Sequence, residues 1–396
     1  MKNLFDGLRV VDFTSNAAGP ISTAYLADFG AEILKIEKPG VGDDIRVFPP
    51  DLDGFGLLFF WLNRGKKSLV LDMTDPDGRQ IARKLIAQAD VVVESFRPGT
   101  MENFGLGYED LKNINPALIM CSVSAFGQTG PYSHKPGYDI VVQALSGVMD
   151  LTGEPDGSPV RSGIVLGDYT SGVYAYAAIV SALYHRKNTG SGQYIDISLL
   201  DCMVSYNGFV ETAGIGKNPT RTGNHHSLLA PFGVFNGRSE SIIIGAPNPK
   251  LWTLLCDVMG KSEMATDPAF ATGSDRLQNM DQLVDLVETW LKSFSNINEP
   301  LALIEEAGIP CAKVNTTTDL LEDEQLKARE MITDLETPDG MPTRSIKARG
   351  NPFKFSEVRA DMKKPPALGQ HQNEILKSVG YDDAKIAELK TRWRVS

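Results

Sequence analysis

Residues 163–172 read GIVLGDYTSG, and they set one carboxylate, Asp168, just ahead of the long helical pattern VYAYAAIVSALYHR. An Asp at a helix start is a preferred cap, because its carboxylate accepts a bond from a free backbone N–H. The same placement suits a nucleophile. The helix dipole favours the ionised form, and an ionised carboxylate attacks an activated carbonyl. In this reading Gly167 leaves room for a substrate, while Ser171 and Gly172 keep the first turn slim. Local sequence leaves cap and nucleophile both open.

A second group of residues is cationic. Lys35 and Lys38 flank the end of an apolar run, Arg46 follows GDD, NRGKK supplies Arg64, Lys66 and Lys67, and FRPG supplies Arg97. If they face one crevice they form a basic patch on a chain whose net charge is -11, suited to an anionic cofactor. Scattered surface lysines and arginines would give the same spacing. The overall acidity argues against general affinity for nucleic acid or an anionic membrane surface.

The elements that must position these residues alternate strand and helix through the first 200 residues. LRVVDFT, AEILKIE, KKSLVLDM, VVVESF and LIMCSVSAF read as buried strands, with helical segments such as DPDGRQIARKLIAQAD between them. That alternation implies an α/β fold with a parallel sheet covered on both faces. Ligands then sit beyond the carboxyl ends of the strands. The alternation fades after YIDISLLDCMV. We expect a large domain over 1–204, a linker over 205–225, a smaller α/β domain over 226–314, a second linker over 315–330, and a return to the large domain over 331–396.

Several chemistries lack their signatures. SNAAGP follows the first strand where a dinucleotide site would carry G-x-G-x-x-G, and there is no P-loop and no H-E-x-x-H. His225 and His226 are adjacent, which suits a solvated loop better than a metal site. Cys121, Cys202, Cys256 and Cys311 stand far apart, without metal-ligand spacing, and read as buried thiols of a reducing compartment. The first residues show no signal-peptide pattern, and the longest apolar run is too short for a bilayer. We expect a cytoplasmic enzyme without a metal.

Nine segments, in order, resemble the family III CoA-transferases, the group that includes formyl-CoA:oxalate and carnitine CoA-transferases and their relative α-methylacyl-CoA racemase. They are LRVVDFTSNAAGP, GAEILKIEKPGVGDDIR, LNRGKKSLVLDM, ADVVVESFRPGTMENFGLGYEDL, PGYDIVVQALSG, GDYTSG, HRKNTGSGQYIDISLLD, GIPCAKV and PPALGQH. The resemblance implies that Asp168 is the nucleophile and forms an aspartyl-CoA thioester. It implies no permanently bound cofactor, with coenzyme A arriving as acyl-CoA and a small carboxylic acid as its partner. The CoA contacts it implies are Asn16, Ala17, Ala18, Lys38, Leu71, Thr74, Ser95, Phe96, Arg97, Asn103 and Phe104. The family often has Arg at one of the last two positions, and this chain has none there. The implied fold is a large Rossmann-like domain built from both termini plus a smaller one, with two chains interlocked as a homodimer.

Two rivals share these residues. A 2-methylacyl-CoA racemase needs an acid and a base on opposite faces of the α-carbon. The racemases carry His where this chain has Tyr138, and a phenol is a poor base at neutral pH. A non-catalytic CoA-binding protein would use Asp168 only as a cap. The oxalate enzymes carry a glycine run over the active site where this chain reads GNHHSLLAPFG, which argues against oxalate as acceptor.

Overall fold

A computed structural model describes residues 3–395. β1 (Arg9–Phe13), β2 (Glu32–Glu37), a short hairpin of β3 (Asp51–Leu52) and β4 (Phe55–Gly56), β5 (Lys67–Val70), β6 (Val91–Glu94), β7 (Ile119–Ser124) and β8 (Tyr194–Ser198) come first. Six of them form one parallel sheet in the order β5-β2-β1-β6-β7-β8. The chain moves outward from β1 to β2 and β5, then crosses back to β6 and moves the other way. The point of reversal lies between β1 and β6. Beyond their carboxyl ends the loops part in opposite directions and leave a crevice.

The central strands are apolar on both faces, and β6 (VVVE) is buried throughout. One face packs on the Pro76–Ile86 helix and, from the far end of the chain, the helices Gln372–Ser378 and Asp383–Trp393, through Ile81, Leu85, Ile375, Leu389 and Trp393. The other face packs on the helices Ala18–Asp28 and Leu166–Thr189. The chain therefore builds its large unit from both ends, as a Rossmann-like α/β fold.

The compact units are 1–148, 161–214 and 323–396 in one, and 149–160 with 215–322 in the other. The second unit takes 149–160, which the sequence reading leaves inside the large domain. Arg221 is the reason: its guanidinium donates to the Asp150 carboxylate (2.8 Å) and to the Asp150 and Gly157 carbonyls. That unit holds β9 (Phe232–Asn236), β10 (Ser241–Gly245) and β11 (Cys311–Lys313) as an antiparallel sheet ordered β11-β10-β9. Trp252, Leu283, Val287 and Ile304 fill its core. The large unit also holds an antiparallel pair, β12 (Ile332–Glu336) and β13 (Ser345–Arg349), ahead of its last two helices.

Local differences from the sequence pattern have local causes. YIDISLLDCMV is strand only to Ser198, whose hydroxyl accepts the Asp201 N–H (3.1 Å) and starts the helix Leu199–Tyr206. Among the described residues no helix is long and apolar enough to cross a membrane.

Candidate active site

The turn after β1 is built by buried polar groups. Asp12 holds the Thr14 backbone and hydroxyl and the Thr23 hydroxyl, and Lys66 donates to it (2.9 Å). Asn16 sits in left-handed backbone (φ 63°), and its N–H donates to Asp43 (3.2 Å). That conformation is uncommon outside Gly, with Asn among the residues that tolerate it best. The Ser15 N–H donates to the Ser95 hydroxyl (3.0 Å), so the turns after β1 and β6 are tied together.

Two hollows open there. The first, of about 220 Å³, is lined by Ser15–Ala18, Ser95–Pro98, Val123–Phe126, Lys135–Tyr138 and Asp168. The second, of about 300 Å³, is lined by Lys38, Leu71, Thr74, Phe104 and the β1 and β2 ends. Ser15 and Phe96 belong to both, so the hollows meet across the switch point. Every CoA contact expected from the resemblance lines one or the other except Asn103, which is exposed at the end of the short helix Thr100–Asn103.

The broad basic patch does not form. Lys35 pairs with Asp43 (2.9 Å), Arg46 with Glu37 (2.7 Å), Lys66 with Asp12 (2.9 Å), and Arg64 donates to Asp28 (2.8 Å), all with buried side chains. A charge out of water needs an opposite charge beside it, so these cations are committed to holding loops. Lys67 bridges Glu32 and Glu374. Lys38 remains at the second hollow, in an exposed pair with Asp44. Arg97 remains at the first, exposed and without an ion-pair partner among the described residues. Lys135, which the sequence reading did not single out, joins it at the first hollow, its ammonium 3.6 Å from the Tyr132 ring centre.

Asp168 is not the helix cap. The helix runs Leu166–Thr189, Val165 stands at the cap position without a side-chain bond, and Asp168 is the third helical residue. The cap comes from elsewhere: Asp139, opening the helix Asp139–Leu145, accepts the Gly167 N–H at 2.7 Å. Gln143 donates to the other Asp139 oxygen (2.6 Å) and accepts the Ser162 N–H (2.9 Å). With another residue capping, Asp168 is left to face the hollow. Burial pushes its carboxyl up to about 7, and the Asp139 charge adds to the rise.

Neither flanking glycine clears a path for substrate. A side chain at Gly167 would press on Val142 and Asp139. One at Gly172 would come within 2.6 Å of Ile21 and 2.7 Å of the Ala18 carbonyl, so Gly172 brings the Ala18–Asp28 and Leu166–Thr189 helices together. Tyr138, 74% exposed, lines the hollow that holds Asp168.

His225 and His226 lie in the smaller unit, where the His225 ring packs edge-on to Phe235 and His226 accepts the Leu228 N–H. Among the described residues no cluster of His, Cys, Asp and Glu could hold a metal ion.

At the switch point of this Rossmann-like sheet, Asp168 and Arg97 line one hollow and Lys38 lines the next; the chain as a whole matches a known family. The chain belongs to CoA-transferase family III, whose model matches residues 5–372, and it is a CoA-transferase acting on acyl-CoA thioesters. An acetyl-CoA:oxalate CoA-transferase of Acetobacter aceti is 39% identical over 97% of this chain and 98% of its own. A succinyl-CoA:glutarate CoA-transferase of Mus musculus is 36% identical over 97% of this chain and 88% of its own. Among solved structures, a CAIB/BAIF family protein from Brucella suis is 37% identical, covers 96% of this chain and all of its own, and superposes with a TM-score of 0.86.

Proposed function

We propose that the protein moves CoA from an acyl-CoA to a carboxylic acid through a covalent thioester on Asp168. The observation that carries this reading is the placing of Asp168: a helix-start carboxylate relieved of capping, facing a hollow that joins the Lys38 and Phe104 hollow. The ionised Asp168 oxygen attacks the thioester carbonyl, forms a mixed anhydride and releases CoA thiolate. The thiolate attacks the aspartyl carbonyl, breaks the anhydride, frees the donor acid and leaves aspartyl-CoA. The acceptor carboxylate then runs the two steps in reverse and departs as its CoA ester. Each step exchanges one acyl bond for another, so the thioester energy is kept provided water stays out.

In this reading the pantetheine and nucleotide ends lie along Ser15–Ala18, Ser95–Arg97, Lys38, Leu71, Thr74 and Phe104, with the phosphates toward Lys38 and Arg97. Asn103 is withdrawn from the contacts. The relatives named for oxalate and glutarate make short dicarboxylic acids the acceptors to try first, oxalate included despite the GNHHS sequence. The enzyme works as an interlocked homodimer in the cytoplasm. In support, Leu145, Ile164, Tyr184 and Tyr206 are all more than half exposed, and all four cysteines are free thiols.

The test is direct. Wild type incubated with an acyl-CoA alone should gain the mass of CoA, less water, on the peptide holding Asp168. Asp168→Asn should stay folded, bind CoA and transfer nothing, since an amide cannot form the anhydride. An Asn variant with full activity would end this mechanism.

A further inference from the structure

Glu94 closes β6 with its side chain buried (3% exposed). Asp12, Asp28, Glu37 and Asp43, also buried in this unit, each face a lysine or arginine. Among the described residues Glu94 has no such ion pair, and the charges that act on it are those of the acids Glu102 and Asp196. An acid buried without a cation is costly, and burial pushes this one up to about 7. Its bonds are to Phe96, whose N–H donates to Oε2 at 2.7 Å, and to the hydroxyl of Ser122, its register partner on β7. Ser122 is itself held by the Tyr194 hydroxyl (2.9 Å).

What Glu94 holds is the turn at which the two hollows meet. The Phe96 ring lines both and packs against Phe13 and Phe104, with ring centres 6.3 and 6.0 Å away. Ser95 on one side accepts the Ser15 N–H, and Arg97 on the other reaches the hollow. Glu94 itself lines neither.

We propose that Glu94 is a positioning residue for acyl-CoA: by accepting the Phe96 N–H it sets the Ser95–Arg97 turn, and through it the affinity for the CoA moiety. This rests on the reading that the joined hollows receive CoA. Losing the bond acts on binding. The chemistry at Asp168 is left alone.

The experiment compares Glu94→Ala, Glu94→Asp, Glu94→Gln and Arg97→Ala by steady-state kinetics and by calorimetry with free CoA. Glu94→Ala, and Glu94→Asp whose shorter side chain retracts the oxygen, should raise KM for every acyl-CoA and Kd for CoA about ten- to hundredfold. Their kcat should stay close to wild type. Glu94→Gln keeps an acceptor oxygen and should restore both constants; Glu94→Asp carries the test if Glu94→Ala does not fold. A fall in kcat with unchanged KM, or a Gln variant as weak as the Ala variant, would overturn the proposal. So would unchanged KM in the Glu94 variants while Arg97→Ala raises it. If Arg97→Ala also leaves KM unchanged, the placing of CoA fails as well.

Discussion

The Asp139 carboxylate accepts the Gly167 N–H at 2.7 Å, one residue before Asp168. The two acids stand at one helix start with divided duties. Asp139 satisfies a free backbone donor that a cap would satisfy, and its charge helps hold the Asp168 carboxyl high. Attack on a thioester needs Asp168 ionised, so the acid limb of kcat/KM for the donor should fall near neutrality.

Asp139→Asn keeps an oxygen for Gly167 and removes the charge. Its acid limb should move to lower pH, as seen in a pH profile of donor kcat/KM. Asp139→Ala removes the acceptor too, and should cost about 1 kcal/mol in urea unfolding. An Asn variant whose limb stays in place would show that the two acids do not communicate.

Asp168 also writes itself into stability. Its folded-state carboxyl titrates near 7 against 3.8 for the free side chain. Between those values the folded protein binds more protons than the unfolded one, so this group lowers stability as pH rises from about 4 to 7. Asp168→Asn has no such penalty. It should match wild type below pH 4 and be more stable above pH 7, by on the order of 2–4 kcal/mol. Urea melts at pH 4.5 and 8 would show it; equal differences at both would refute the assignment of the raised group.

Tyr138 lines the hollow with Asp168, and a phenol is a poor base at neutral pH. We expect no α-proton exchange: a chiral 2-methylacyl-CoA in heavy water should keep its configuration and take up no deuterium. Deuterium at the α-carbon would favour the isomerase.

Gly172 sits where two helices touch. Gly172→Val would drive its side chain into Ile21 and the Ala18 carbonyl. Overpacking of this kind costs about 1–3 kcal/mol. Because Ala17 and Ala18 line the Asp168 hollow, donor KM should rise along with the fall in thermal midpoint. A variant as stable as wild type would mean the helices part freely.

Apolar runs of β-branched residues separated by amphipathic helices suffice to specify a parallel α/β sheet, because only burial on both faces accommodates them. Segments such as GDYTSG and SFRPG marked the residues around the hollow for the same reason they are local: each is one turn at a strand or helix end. Long-range pairing was not legible there. Lys35, Arg46, Arg64 and Lys66 look like a phosphate patch in one dimension, and only folding shows each facing its own buried acid. Asp139 caps a helix that begins 27 residues further along the chain, so no local pattern at Asp168 could reveal that its capping duty had been taken over. The division of 149–160 from its sequence neighbours hangs likewise on Arg221, some 70 positions later. Sequence sets which side chains are available and which elements form; which charge meets which, and so which carboxylate is free to react, depends on distances that only the tertiary structure determines.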